Sequence, residues 1–418
     1  MKKNDLEQGK NTVEKVIVLG RNYCNILTMV RALGKGGYKV DVLRLYKTKP
    51  KFLNLLANIK PDKYSKYTNS FKEFVVNDDY DKLTEELVKL KSENKRTLLI
   101  PVDDYSAYFV DSYLEELKDD FLLPNIKDTK GAISNLMEKN KQKNLAANFG
   151  LPVLQSQLIV VKNGGFDIPK DLIYPCFIKP NISVKGNKGI MKKCQCEEEL
   201  KELLLKLSKK GDLEILVEPF VDIKNEYSLV GYSVSEDVAA SGAFKCLVGG
   251  NKERKGVTMI GEIVDLNYFD GILSQCCQFI KSLNFTGFYD IDFIETSEGK
   301  IYFVELNFRA GASMYALVDD KVNPIAQFAD CILNETKVSN QISQEKINKK
   351  FISEKILLEE FVRSDVDKSE LKNNLKSSDI FFIKDEEDVE PYKHFKKYYK
   401  IGSLLRIPYK VRDFKNSN

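Results

Sequence analysis

Short apolar runs alternate with amphipathic stretches over the first 125 residues of the chain. Runs at 16–19 and 97–102 predict buried strands, an alternating stretch at 38–45 contains a third strand, and stretches at 26–33 and 80–90 predict helices. Such strand–helix alternation is typical of a parallel α/β layer. Ligands collect at the carboxyl ends of parallel strands, so Gly20–Asn22 and Asp103–Asp104 are predicted to line a crevice.

The pattern changes after residue 125. A predicted helix at 138–149 ends at Gly150-Leu151-Pro152, and further helices are predicted at 197–207 and 272–283. Strands are predicted at 158–161, 176–179, 215–217, 226–233, 239–244 and 287–293. Helices beside antiparallel strands indicate α+β architecture, and the last 80 residues are more polar and less regular. We therefore predict an α/β plus α+β protein divided into 1–125, 126–335 and a C-terminal extension, 336–418.

Composition limits the chemistry that this chain can perform. Its 65 Lys and Arg against 61 Asp and Glu leave a net charge of +4, too balanced to indicate nucleic-acid binding. A single histidine, His394, removes every mechanism built on a histidine base, and eight scattered cysteines form no CxxC pair. Catalysis must then use carboxylates, lysines, arginines and a metal. Without a signal-peptide pattern or an 18-residue apolar run, we expect a cytoplasmic protein with no transmembrane segment.

The most informative segment is 287–309, where two alternating strands flank a Ser-Glu-Gly turn at 297–299. If Thr296 pairs with Ile301, period-two geometry sets four polar side chains on one face: Asp292 opposite Glu305, and Asp290 opposite Asn307. The opposite face then holds Ile291, Phe293, Val304 and Leu306. Carboxylates opposed at about 5 Å repel each other unless a cation lies between them, and oxygen ligands suit Mg²⁺. The alternative is a solvated acidic face on an ordinary hairpin.

The order Asp292 … Glu305-Leu306-Asn307-Phe308-Arg309 resembles the metal-binding end of ATP-grasp ligases. That group includes D-alanine–D-alanine ligase, biotin carboxylase and carbamoyl phosphate synthetase. The resemblance implies that Asp292, Glu305 and Asn307 hold one or two Mg²⁺ ions, with Mn²⁺ as an alternative. It also implies that Arg309 binds the acyl phosphate or the substrate carboxylate.

Two upstream lysines extend the resemblance in the order that the family uses. Lys139 lies eleven residues before Gly150, and Lys179 ends a Pro-Cys-Phe-Ile-Lys-Pro strand that matches the family's P-x-[VI]-[VI]-K-P pattern. The resemblance implies that both contact the phosphates of ATP, although Lys141 and Lys143 are neighbours that compete for the first assignment. The loop 181–189 is similar to the family's lid over the triphosphate, with Ser183 and Gly186 as its predicted contacts.

A strand at 214–221 is similar to the one that ends at the family's inter-lobe hinge. Adenine is recognised there by backbone groups, and an acidic residue several positions later binds the ribose hydroxyls. The residues at these places are Glu218, Phe220, Val221 and Glu226.

The resemblance implies a two-lobed ATP-grasp domain at 126–335, preceded by a substrate-binding (pre-ATP-grasp) domain at 1–125. The implied reaction phosphorylates a small carboxylate, such as an amino acid, and transfers the acyl group to an amine, releasing ADP and phosphate. The hairpin is most similar to that of D-aspartate ligases, so a cell-wall or glycopolymer precursor is a candidate acceptor. A homodimer is a candidate oligomeric state. Two alternatives are a bicarbonate-phosphorylating enzyme of the carboxylase or carbamoyl-phosphate type and a nucleotide-binding protein without catalysis.

Overall fold

The first part of the chain forms a parallel sheet flanked by helices. The computed structural model describes residues 15–48, 59–93, 96–182, 190–250, 256–363, 369, 373, 375–398 and 400. The first elements are β1 (Lys15–Gly20), α1 (Tyr23–Lys35), β2 (Lys39–Tyr46), β3 (Thr68–Val75), α2 (Tyr80–Val88), β4 (Thr97–Pro101), α3 (Asp104–Ser112), α4 (Leu114–Leu117) and β5 (Phe121–Leu122). The strands lie in the order β3-β2-β1-β4-β5, all parallel. β1 and β4 are continuous apolar runs because helices cover both faces of such a sheet.

Polar caps fix the carboxyl edge of this sheet. The Asn22 side chain accepts a hydrogen bond from the Cys24 N–H and begins α1, while Asp103 and Ser106 form a reciprocal capping box that begins α3. The backbone N–H of Arg21 also donates to the Asp103 carboxylate at 2.6 Å. The residues predicted to line a crevice therefore lie together at this edge.

A small antiparallel lobe follows the first sheet. It comes after β6 (Asn125–Ile126), α5 (Ala132–Leu136) and α6 (Lys139–Asn148), and consists of β7 (Gln157–Val161), β8 (Cys176–Pro180), β9 (Lys192–Cys194), α7 (Glu197–Ser208) and β10 (Leu213–Pro219). The strand order is β7-β10-β8-β9. Alternate side chains of these strands and the Leu200, Leu204 and Leu207 face of α7 form a separate core.

The largest sheet is built from the second half of the chain. Its elements are β11 (Ile223–Val234), β12 (Asp237–Gly249), β13 (Thr258–Val264), α8 (Leu273–Leu283), β14 (Phe285–Thr296), β15 (Ile301–Asn307), α9 (Pro324–Leu333), β16 (Lys350–Ile352), α10 (Glu354–Arg363) and β17 (Ile380–Phe381). The order is β15-β14-β11-β12-β13-β16-β17, with β6 paired to β14. β15 is thus an edge strand. The predicted combination of a parallel α/β layer with antiparallel α+β lobes is confirmed.

One hydrophobic core joins α1, one face of the large sheet and residues after 350. The buried Arg31 guanidinium lies within it, 2.8 Å from the Asp388 carboxylate, and donates to the carbonyls of Phe382 and Ile383. The C-terminal residues therefore pack on the first domain, and the division near residues 125 and 335 stays a prediction. In the part of the chain that the structure describes, no helix is long and apolar enough to cross a membrane.

Candidate active site

The hairpin of β14 and β15 brings the predicted metal ligands together. Asp292 pairs with Glu305, and Asp290 pairs with Asn307, as the sequence predicts. Nearer the turn the predicted register is wrong by one residue, because Ile301 pairs with Glu295 and not with Thr296. A bulge between Asp292 and Phe293 absorbs the difference.

The bulge changes which residues fill the core behind the hairpin. Phe293 pairs with Phe303, which is 1% exposed, and Val304 becomes the extra residue of the bulge. Val304 is therefore half-buried and does not occupy the core position predicted for it. On the side of the bulge away from the turn, both strands keep the predicted alternation, so all four polar side chains still share a face.

Hydrogen bonds and one lysine hold the carboxylates in place. Ser228 Oγ donates to Asp292 Oδ1 at 2.7 Å, Asn307 Nδ2 donates to Asp292 Oδ2 at 3.1 Å, and Lys139 forms an ion pair with Glu305. Burial, together with Asp290 and Glu305, raises the pKa of Asp292 well above its usual range. Burial also opposes ionisation of Glu305, but the Lys139 ammonium outweighs it and lowers the pKa of that carboxyl.

This donor set fits a magnesium ion that is completed by phosphate oxygens. Within the described residues, no group of three or more His, Cys, Asp or Glu side chains is arranged to hold a metal by itself. The hairpin offers two carboxylates and the Asn307 amide, and a bound cation would favour the ionised form of Asp292, which burial, Asp290 and Glu305 disfavour. The neighbouring Asp290 Oδ1 is buried without a hydrogen-bond partner. Mg²⁺ is usually held by one or two carboxylates plus substrate phosphates, so the set is sufficient for it.

Arg309 connects the hairpin to the first domain. Its Nη1 lies 3.3 Å from Asp290 Oδ2, and its Nε lies 3.0 Å from Asp104 Oδ1. Asp104 is the first residue of α3, so the crevice at the carboxyl edge of the first sheet opens beside Arg309. A small substrate in that crevice would lie next to the predicted metal site.

Two lysines share one carboxylate on the small lobe. Lys179 Nζ lies 3.0 Å from Glu218 Oε2, and Lys143 pairs with the other oxygen. All three side chains are buried, and burial and the Lys179 ammonium lower the pKa of Lys143 to about 8. Sequence reasoning treated Lys143 only as a competitor of Lys139. The spacing of four residues, which places both on one helical face, is the feature that could have identified it.

Two of the predicted hinge residues have partners within the small lobe. The Glu218 carboxylate pairs with Lys143 and Lys179, and the Phe220 N–H donates to the Pro175 carbonyl at 2.8 Å. Recognition of adenine by the hinge backbone, including that of Val221, stays a prediction. Lys193 Nζ lies 3.7 Å from the Phe220 ring centroid. Glu226 lies on β11 two residues before Ser228, hence on the face of the metal ligands. Ser183 and Gly186 lie outside the described residues.

A parallel sheet, two antiparallel lobes and a cleft that opposes lysines to carboxylates are the features of an ATP-grasp fold. The chain matches the family described as D-ala D-ala ligase C-terminus over residues 145–323. The recognition of the ATP-grasp superfamily from sequence is thereby confirmed.

One curated relative is the D-alanine–D-alanine ligase of Geobacillus thermodenitrificans (strain NG80-2), 26% identical over 195 residues. The match covers 43% of this chain and 52% of the relative, so the chain spans about half the length of that enzyme.

Solved structures share the fold at low sequence identity. An L-amino acid ligase from Bacillus licheniformis aligns with a TM-score of 0.57 and 15% identity, covering 77% of this chain and 74% of the other. An N5-carboxyaminoimidazole ribonucleotide synthetase in complex with ADP aligns with a TM-score of 0.59 and 18% identity, covering 81% of this chain and 80% of the other. A third structure is the biotin carboxylase domain of Hydrogenobacter thermophilus 2-oxoglutarate carboxylase, with MgADP and bicarbonate. It aligns with a TM-score of 0.57 and 16% identity, covering 81% of this chain and 73% of the other.

Proposed function

We propose that this protein is an ATP- and Mg²⁺-dependent carboxylate–amine ligase that forms ADP. The observation that carries the proposal is the charge arrangement of the cleft. Three buried ammonium groups, those of Lys139, Lys143 and Lys179, converge beside the carboxylates of the hairpin. A polyanion with a bound divalent cation complements both halves of that arrangement.

In the proposed reaction, a carboxylate oxygen of the substrate attacks the γ-phosphorus of ATP, and the bond to the β-phosphate oxygen breaks. Lys139 and Lys179 neutralise charge on the phosphates, and Arg309 orients the carboxylate and then the acyl phosphate. An amine attacks the acyl carbon, loses a proton and releases phosphate. Asp292, Glu305 and Asn307 would hold Mg²⁺, which would supply positive charge at the phosphate oxygens. Positioning and electrostatics then provide catalysis without a histidine.

The substrate proposal follows from the crevice beside Arg309. Asp104 and Arg309 place one carboxylate and one guanidinium about 3 Å apart there, which complements the two charges of an amino acid. We propose an amino acid as the phosphorylated substrate and an amine on a small molecule or on a cell-wall or glycopolymer precursor as the acceptor.

The test is a screen of amino acids, hydroxy acids and hydrogencarbonate, each with ATP and Mg²⁺, followed by phosphate assay and mass spectrometry. We expect ADP, phosphate and an amide product in amounts that match. Release of AMP and pyrophosphate would contradict acyl-phosphate chemistry. Phosphate release with hydrogencarbonate alone would favour the carboxylase class, and tight MgADP binding without turnover on any substrate would favour a binding protein.

A further inference from the structure

Helix α6 is attached to the small lobe at its first turn. The Lys139 N–H donates to the Asn181 carbonyl, and the Asn140 N–H donates to Asn181 Oδ1, both at 3.0 Å. Asn181 is fully buried, lies two residues beyond Lys179 and donates its amide to Glu214 at 2.7 Å. The beginning of α6 therefore follows the strand that carries Lys179.

The same helix is attached to the large sheet through one side chain. Gln142 Nε2 donates to the Leu306 carbonyl at 2.7 Å, and the Leu306 N–H donates to Gln142 Oε1 at 2.8 Å. Leu306 lies on the outer edge strand, and no other strand of the described residues pairs with its backbone groups. Buried backbone groups need a partner. The Gln142 amide takes the place of that partner. Its Nε2 also donates to the Leu136 carbonyl at 2.6 Å, which fixes the orientation of the amide.

Leu306 stands between the two metal ligands of β15. Its side chain points into the core, and the side chains of Glu305 and Asn307 project from the opposite face. The Gln142 amide thus holds the peptide groups from which both ligands project. One turn earlier on the same helix, Lys139 contacts Glu305. A displacement of β15 along α6 would change both contacts together.

We propose that Gln142 is a positioning residue that sets the register of the metal-binding strand against the lysines of α6. The inference rests on the proposed function, because it takes Glu305 and Asn307 as Mg²⁺ ligands. Gln142 is 2% exposed and lies at the outer edge of β15, so it acts through the backbone of Leu306 and not on the metal or on substrate. Loss of a partner that orients metal ligands typically lowers metal affinity about 10–100-fold.

The decisive variant is Gln142→Met, which keeps the length of the side chain and removes both hydrogen bonds to Leu306. Calorimetry should measure ADP affinity with and without Mg²⁺ for this variant, the wild type and a matched control. The control is Gln327→Met, since Gln327 lies on α9, away from the site, and its side-chain amide donates to Gln341 Oε1 at 2.9 Å. We expect the Mg²⁺-dependent gain in ADP affinity to fall about 10–100-fold in Gln142→Met and to stay unchanged in the control. ADP affinity without Mg²⁺ should change less than about twofold, since the hinge and lysines remain.

Each outcome decides the matter. An equal fall in affinity with and without Mg²⁺ indicates a general structural role and overturns the inference, as does an unchanged Mg²⁺ effect. Wild type that shows no Mg²⁺-dependent binding of ADP overturns the proposed function, and the inference with it. If Gln142→Met does not fold, Gln142→Glu carries the same test. It keeps the acceptor for the Leu306 N–H but loses the amide donor, and an unchanged Mg²⁺ effect in it overturns the inference.

Discussion

Replacing Glu218 with glutamine should destabilise the protein by about 3–5 kcal/mol near neutral pH. The Glu218 carboxylate is 5% exposed and contacts Lys143 and Lys179 through different oxygens. Removing one partner of a buried ion pair leaves an uncompensated charge, which typically costs that amount. The amide has nearly the same volume as the carboxylate, so no cavity adds to the effect.

The loss of stability should depend on pH because Lys143 can release its proton. Burial and Lys179 lower the pKa of Lys143 to about 8 while Glu218 is present, and the substitution should lower that pKa further. When folding lowers the pKa of a lysine, the free energy of unfolding is reduced by the full amount at pH values below the folded-state pKa. The reduction disappears as the pH rises toward the unfolded-state pKa. The difference between variant and wild type should therefore shrink by about 1.4 kcal/mol per pH unit from the variant's pKa up to pH 8.

Urea unfolding at pH 6, 7, 8 and 9 measures both the size and the pH dependence of this effect. A suitable control is Glu345→Gln, because Glu345 forms an exposed ion pair with Lys321. The control should change the free energy of unfolding by less than about 0.5 kcal/mol at every pH. A loss below about 1 kcal/mol for Glu218→Gln at pH 6, or a loss that is the same at pH 6 and pH 9, would refute the reasoning.

Three further substitutions have defined outcomes. Glu305→Gln should abolish turnover and the Mg²⁺-dependent rise in Tm, while apo Tm changes little, because loss of the Lys139 pair opposes relief of repulsion from Asp292. Arg309→Lys should lower kcat/KM about tenfold or more in steady-state assays, since an ammonium cannot replace a planar fork. Between pH 6.5 and pH 5.5, the free energy of unfolding should fall by about 1 kcal/mol more in wild type than in His394→Gln, as measured by urea unfolding.

The His394 value follows from burial and from cations at Lys397, Lys60 and Arg44, which lower the pKa of the imidazole to about 4. A lowered histidine pKa removes stability as the pH falls below the unfolded value, and the partial exposure of the ring reduces the full effect. The chain has a single histidine, so a wild type and His394→Gln with equal pH dependence would contradict this account. Retained activity in Glu305→Gln would contradict the assignment of Glu305 as a metal ligand. Full activity in Arg309→Lys would show that the reaction does not require a planar guanidinium at this position.

The sequence was sufficient for the metal end of the hairpin because that prediction needs only local geometry. Alternation places Asp292 on one face of β14 and Glu305 on one face of β15, and the bulge offsets the one-residue error at the turn, so that the predicted pair is opposite. The bulge at Val304 was not predictable, since one extra residue in a strand leaves the apolar pattern on either side intact. The register near the turn was wrong for this reason, and the core position went to Phe303 instead of Val304.

Contacts between residues far apart in the chain were beyond sequence reasoning. Lys143 and Glu218 are 75 residues apart, and Gln142 and Leu306 are 164 residues apart. No spacing rule connects such positions, because their distance is set by how the lobes pack. A lysine near the phosphates could be predicted from the resemblance, but its carboxylate partner within the protein required the structure.

These partners imply an order of events under the proposed function. Glu305 and Glu218 neutralise Lys139 and Lys179, so a phosphate that binds these lysines competes with both carboxylates. A phosphate that attracts Lys139 leaves Glu305 without its counter-ion beside Asp292, and a divalent cation at the hairpin restores the balance. Metal and nucleotide should therefore bind with positive coupling, which is reciprocal by thermodynamic necessity. The coupling needs Lys139 and Glu305 to stay in register, and the helix that carries Lys139 is held to the Glu305 strand by Gln142.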